Sequence, residues 1–343
     1  QKHLARMISG QKYSLLTTLG SIALALLASR ASSQAGTAIM ATSQAITAQS
    51  QLNFTRANEK EADRVGIALL ANSNFDPQGA PSFFNKMSAK YRYASKPPAM
   101  LLTHPLPESR IADARQRAHN YPVRNIQPNL QFELAKSRIK SRYQGNAKGN
   151  IAYYKSQLDK KKYAIKAAAQ YGLALSYFEN KQNLQAKNIL ELIKKDDKNN
   201  LFYIDALTDV YLALNEYDNA FAMLEPLTLL MPNNQVISLN YGNALLTAKK
   251  YDQASIVLQD FLLVSPENFI AYDILTSVYR EQGKTGLMHI NKAEVLALLG
   301  AYQKAVDELQ TSYNLLDEQP LLQKRIKARI LQFQEQEDKL KRL

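Results

Sequence analysis

The 343-residue chain contains no cysteine, which excludes disulfide bridges and thiolate metal sites and leaves the compartment open. Glycine and proline are scarce, at 12 each, and 46% of the residues are hydrophobic. Little of the chain therefore reads as disordered, and it can bury a sizeable core. Acidic residues are also short: 30 Asp and Glu stand against 43 Lys and Arg, a net charge of +13. Residues 1–126 hold much of that excess, with 15 Lys/Arg against 6 Asp/Glu. No basic run interleaved with aromatics occurs there, so the sequence supports no nucleic-acid partner. A diffuse positive surface suits acidic partners or an anionic membrane surface. Long hydrophobic runs are missing too. Leu15–Leu27 is too short and too rich in Thr, Ser and Gly for a membrane span.

What is present is helical and predicts two domains. Phe54–Gly66 reads F-T-R-A-N-E-K-E-A-D-R-V-G, without an internal Gly or Pro to break a helix. Glu59 and Asp63, four apart, share one face of it. Ala62, Val65, Ala68 and Leu69 recur at helical spacing and predict the buried side. On pattern alone a pair of carboxylates four apart describes a solvated face. It also suits a metal ligand followed by a group that holds a ligating His in its tautomer. Turn residues from Asn72 to Pro81 end this helix, and Ala80–Tyr93 follows as an amphipathic helix with Phe83, Phe84 and Met87 inward. His104 precedes Pro105, which holds it on an extended loop. Pro107 then opens a helix carrying Ile111, Ala114 and Ala118. By itself His104 is a surface loop residue, and His3 and His119 read as structural.

The second half repeats. Tyr177, Tyr211, Leu245 and Tyr279 recur at one constant interval, as do Ala186, Ala220 and Ala254, and Leu190, Leu224 and Leu258. Pro232 and Pro266 close two units. The shared interval is the tetratricopeptide period, a helix pair per unit with a small residue where the two helices touch. After Tyr279 the next matching alanines are Ala293 and Ala305, which predicts a half-unit lost or repurposed around Gln282–Gly286. The charged segment Leu321–Leu343 predicts a capping helix. Outward positions on the first helix of each pair are Tyr171, Leu175, Phe178, Phe202, Asp205, Asp209, Leu239 and Asn243. They predict an aromatic and acidic groove for an extended peptide or a partner's loop, with some of these residues packing between neighbouring units instead. The expected architecture is mainly α: residues 1–126 as one domain, 127–166 as connecting helices split near Gln144–Asn150, and 167–343 as the repeat array with its cap.

The Glu59–Asp63 stretch resembles the E-x-x-x-D segment of gluzincin-type metallopeptidases of the M48 class. Leu101–Arg110, L-L-T-H-P-L-P-E-S-R, resembles a second hallmark of one bacterial branch, the periplasmic β-barrel assembly-enhancing proteases, which end in tetratricopeptide repeats. The resemblance runs over nearly the whole chain. It implies the helical part of a gluzincin-type domain, with Glu59 as a Zn2+ ligand and Asp63 behind the ligands. It also implies His104 as a switch ligand that closes the fourth zinc position, and Arg110 assisting near the site, with a surface salt bridge as the other reading of Arg110. A zinc site with four protein ligands is inactive, because catalysis needs an open position.

In that family Q-K-H-L-A-R-M follows directly on the H-E-x-x-H helix, so Gln1–Ser9 reads as that helix's tail. A signal sequence or an anchor are the other readings of Gln1–Ser29. No H-E-x-x-H occurs in these 343 residues. The resemblance places it upstream of Gln1, ending three residues before it. The two remaining His ligands and the general-base Glu would lie there, and the chain alone would be inactive.

Two functional expectations follow. One is a periplasmic zinc endopeptidase of a Gram-negative bacterium, with chaperone-like action on outer-membrane β-barrel proteins and their assembly machinery. Its repeats would recruit protein substrates or that machinery. The other is a non-catalytic tetratricopeptide scaffold with a truncated or degenerate protease domain.

Overall fold

The computed structural model describes residues 58–91 and 108–341. The chain divides into two compact units, Gln1–Gln127 and Pro128–Leu343. Among the described residues every regular element is a helix and no strand occurs, in agreement with the mainly-α reading.

In the first unit α1 covers residues 58–72. It stops at a turn in which Asn74 adopts φ 62° and the Phe75 N–H donates back to the Leu70 carbonyl. Asn tolerates that left-handed backbone better than most residues. α2 follows as Gly79–Tyr91 and α3 as Glu108–His119. Their common core is small: Ile67, Ala114 and Ala118, flanked by Ala80, Phe84 and Tyr121.

The buried face of α1 is not the predicted one. Asp63, Ile67 and Ala71 are buried, one turn apart, whereas Ala62, Val65 and Leu69 are exposed. Phe83 is likewise exposed, with Phe84 and Met87 half-buried. Apolar spacing misidentifies the face because the inward ridge of α1 begins with carboxylates, which a buried cation neutralises. Gln1–Ser9, the apolar run Leu15–Leu27 and His104 lie outside the described residues.

The second unit is a stack of antiparallel helix pairs. α4 (Leu130–Tyr143) and α5 (Ala147–Asp159) form its first pair, split at residues 144–146. Both pack on α6 (Lys166–Glu179). There follow α7 (Asn183–Asp196), α8 (Leu201–Ala213), α9 (Tyr217–Leu230), α10 (Gln235–Thr247), α11 (Tyr251–Val264) and α12 (Phe269–Glu281). α13 (Thr285–Leu298), α14 (Tyr302–Leu315) and α15 (Pro320–Lys341) complete the unit.

The alanines that recur at the repeat period, Ala186, Ala220 and Ala254, are fully buried, as are Leu190, Leu224 and Leu258 one turn further on. A methyl group there lets paired helices approach while the leucine fills the space behind it. Asn200, Asn234 and Asn268 cap α8, α10 and α12, each side chain accepting from a backbone N–H of the first turn.

Of the two readings around Gln282–Gly286, the structure shows a repurposed half-unit and not a lost one. α12, α13, α14 and α15 begin at Phe269, Thr285, Tyr302 and Pro320, nearly even steps with no helix missing between them. Backbone geometry keeps the period as well, since Lys181, Asn215, Lys249 and Gly283 take φ values of 60°, 59°, 61° and 68°. What changes is the role of α13. Leu287 and Met288 pack against the main repeat core, while Ala293 and Ala297 join a second core with Ala305, Leu309, Ile326 and Phe333. One helix therefore serves both neighbours, with Met288 at the position the earlier alanines hold and its buried alanines in its second half.

Gly172 is a tight helix approach with a testable cost. A Cβ built there would fall inside van der Waals distance of the Tyr154 ring. Tyr154 is buried and its hydroxyl donates to the Ser137 carbonyl at 3.3 Å. Gly172→Ala is expected to cost about 1–3 kcal/mol through overpacking. A urea melt checks this: an unchanged midpoint would mean that Tyr154 swings aside freely.

Candidate functional site

α1 and α3 meet around one guanidinium. Arg110, on the first turn of α3, donates from Nε to Asp63 Oδ2 at 2.5 Å and from Nη2 to Asp63 Oδ1 at 2.8 Å. Its third nitrogen, Nη1, lies 2.8 Å from Glu59 Oε2. Phe84 of α2 covers the group, with the Arg110 Cζ 5.2 Å from the ring centroid. Asp63 and Arg110 are buried and the Glu59 side chain is 15% exposed, so the three charges interact largely out of water. The planar fork suits this position, because it grips one carboxylate with two bonds and reaches a second with its remaining nitrogen. The Asp63 hydrogen bond, opposed by burial and supported by the charges of both carboxylates, raises the Arg110 pKa above its ordinary value.

The sequence-predicted residues Glu59, Asp63 and Arg110 thus converge. Arg110 is not a surface ion pair but the hub of a buried trio. A carboxylate fixed this way is a hard oxygen donor of the kind zinc accepts, so Glu59 fits the ligand role that the resemblance implies. Asp63 is held by Arg110 through both oxygens, and each keeps a second lone-pair direction for a histidine N–H. Among the described residues no group of three or more His, Asp or Glu gathers as a metal site.

The groove residues divide differently. Tyr171 and Leu175 are 0% and 1% exposed, which corrects their placement on an outward surface. The cause is α4, whose two arginines reach across the first helices of the pairs. Arg138 donates from Nε to Tyr171 Oη at 2.9 Å, pairs with Asp205 and stacks 5.1 Å from the Phe202 centroid. Arg142 donates to Asp209 Oδ2 at 2.8 Å. Asn240 donates to Asp205 Oδ1 at 3.0 Å.

The Tyr171 hydroxyl is pushed up to about 12 by burial, against the pull of Arg138. Burial, with Asp205 acting in the same direction, raises Asp209, and Arg142 offsets only part of it. The aromatic and acidic positions of the first pairs are therefore partnered within the chain. Phe178, Leu239 and Asn243 are half-buried. Sequence reading missed Arg138 and Arg142. Their signal was the pair of cations four apart on α4, set against Asp205 and Asp209 four apart on α8.

Comparison with known proteins agrees with both halves. The peptidase family M48 model matches residues 1–118, and a tetratricopeptide repeat model matches residues 211–277. A beta-barrel assembly-enhancing protease of Escherichia coli (strain K12) is 34% identical over 342 residues, 99% of this chain and 70% of that protein. A Vibrio cholerae relative is 37% identical over 340 residues, again 99% of this chain and 70% of its own. The chain belongs to the beta-barrel assembly-enhancing protease family.

The family's M48 segment contains the Glu59–Asp63–Arg110 trio, so the buried ion cluster falls inside the peptidase module and not in the repeats. A further family member, from Yersinia pestis, is 33% identical over 334 residues, 97% of this chain and 68% of that protein.

Proposed function

We propose that this chain belongs to a zinc endopeptidase with chaperone-like action, which promotes assembly and quality control of outer-membrane β-barrel proteins in the Gram-negative periplasm. The observation that carries the reading is the buried trio within the M48 segment: Arg110 holds Glu59 and Asp63 one helical turn apart with their oxygens fixed. Identity to relatives named for β-barrel assembly supplies the substrate class. Zinc, when bound, lowers the pKa of a coordinated water to about 7 and polarises a carbonyl. Glu59 is the ligand that this chain offers from the described residues. Asp63 orients a ligating histidine through its remaining lone pairs, and Arg110 fixes both carboxylates so that neither must reorganise during reaction.

His104 is the switch ligand of this proposal, a histidine that closes the fourth position and keeps the site inactive until displaced. Residues 1–126 form the peptidase domain, 127–166 supply α4 and α5, the first pair of the stack, and 167–343 form the repeat array, in which Phe178, Leu239 and Asn243 contact protein substrates or the assembly machinery.

The test uses the polypeptide that carries these residues together with the H-E-x-x-H expected before Gln1. Chelation should stop cleavage of an unfolded β-barrel protein, with zinc restoring it. His104→Ala should raise cleavage several-fold by opening the fourth position. Cleavage indifferent to chelation would overturn the metal, and cleavage unchanged or lowered in His104→Ala would overturn the switch. The alternative, a non-catalytic scaffold, predicts no cleavage under any of these conditions.

A further inference from the structure

We propose that one edge of the repeat array docks on an anionic lipid surface. In a stack of antiparallel helices, alternate connections lie at the same edge. The connections that follow α5, α7, α9, α11 and α13 therefore share one edge, and those within the pairs share the other.

The first edge is graded. At its N-terminal end, residues 159–166 and 194–198 carry seven lysines against three aspartates. Lys160, Lys161, Lys162, Lys195 and Lys198 are exposed. Further along, the same edge turns apolar. Leu229 and Leu263, one repeat apart, are 86% and 82% exposed, and Leu230, Val264, Leu298 and Leu299 are exposed beside them. Glu267 is the single acidic residue in the connections after α9, α11 and α13. Repetition at the repeat period marks this as a row and not as scattered surface leucines.

The opposite edge provides the contrast. Its helix ends also expose large apolar side chains, Tyr143, Leu184, Leu315 and Leu321, but none of these recurs at the repeat period as Leu229 and Leu263 do.

The occupant follows from charge and apolarity together. A lysine-rich stretch continuous with leucines that stand clear of the core is the pattern of a surface that enters a headgroup layer, with cations seated against anionic lipid. A protein groove would call for concave packing, which a row of helix ends does not offer. Among the described residues no helix is long and apolar enough to cross a membrane. Such docking needs neither metal nor cleavage and stands apart from the peptidase reading.

Flotation of the full chain with vesicles tests it. Phosphatidylcholine mixed with phosphatidylglycerol should carry the protein upward at low salt, and pure phosphatidylcholine should not. The double variant Leu229→Ser, Leu263→Ser should bind at least ~10-fold more weakly, because both side chains lose their apolar insertion. Lys160→Gln, Lys161→Gln, Lys162→Gln should weaken binding and flatten its salt dependence. Lys249→Gln, Lys284→Gln on the opposite edge should leave it unchanged. All these residues lie at the surface, so circular dichroism and melting should match the parent. The proposal is overturned if the full chain does not float with anionic vesicles, or if the edge variants float as well as the parent. It is also overturned if the leucine variant only abolishes self-association, which would make the edge a contact between copies.

Discussion

Glu59→Gln is expected to lower cleavage by roughly 100-fold or more in the polypeptide that carries H-E-x-x-H, while the helices around it stay folded. Gln keeps the shape and an oxygen that can still accept from Arg110 Nη1, so the 2.8 Å contact survives as a hydrogen bond to a neutral acceptor. What disappears is the negative charge that a divalent cation would need. Arg110 still has Asp63 through two bonds, so the guanidinium is not stranded. Zinc content by atomic emission should fall in step with cleavage, and the melting curve should move little. Asp63→Asn should have a smaller effect, about 10–100-fold, because Asp63 acts through a histidine and not on the metal. Full zinc content and full cleavage in Glu59→Gln would return Glu59 to being a partner of Arg110 and nothing more.

Arg110→Ala should be the most damaging single change to the first unit, at about 3–5 kcal/mol. It removes the cation from between two carboxylates that α1 holds one turn apart, and it leaves a void under the Phe84 ring. The apolar core there has little to compensate with: Ile67, Ala114 and Ala118 and their three flanking residues. Docking of α3 on α1 should therefore be lost before the repeats unfold. Hydrogen exchange over residues 58–91 and 108–119 reads this directly, with protection expected to fall there and to persist in residues 166–281. Arg110→Lys should recover only part of the loss, because a single ammonium cannot serve Asp63 through two bonds and Glu59 through a third. Unchanged protection in Arg110→Ala would mean that the trio contributes no net stability.

The array was the most legible part of the molecule. Ala186, Ala220 and Ala254 name the helix contacts directly, because a close approach repeated in every unit admits only small side chains. Pro232 and Pro266 punctuate the units, and the capping asparagines Asn200, Asn234 and Asn268 were a further periodic signal available in the sequence. Around α13 the same reasoning left two readings open. Its backbone holds the period while its buried alanines are Ala293 and Ala297, and alanine positions alone do not separate a deleted half-unit from a repurposed one. On α1 the apolar residues Val65 and Leu69 pointed to the wrong side, because hydrophobicity says nothing about charges that are buried in pairs.

Local spacing determined the helices, their period, the closeness of Glu59 to Asp63 and the family. Those depend on residues a turn or a repeat apart, where chain geometry leaves few alternatives. Tertiary structure decided which carboxylates find a cation. Arg110 reaches Asp63 across 47 residues and Arg138 reaches Asp205 across 67. The same long-range contacts buried Tyr171, moved the inward face of α1 onto its charged ridge and left one edge of the array tipped with leucine. A charge pattern along the chain permits many partners, and only the packing of helices far apart in sequence selects among them.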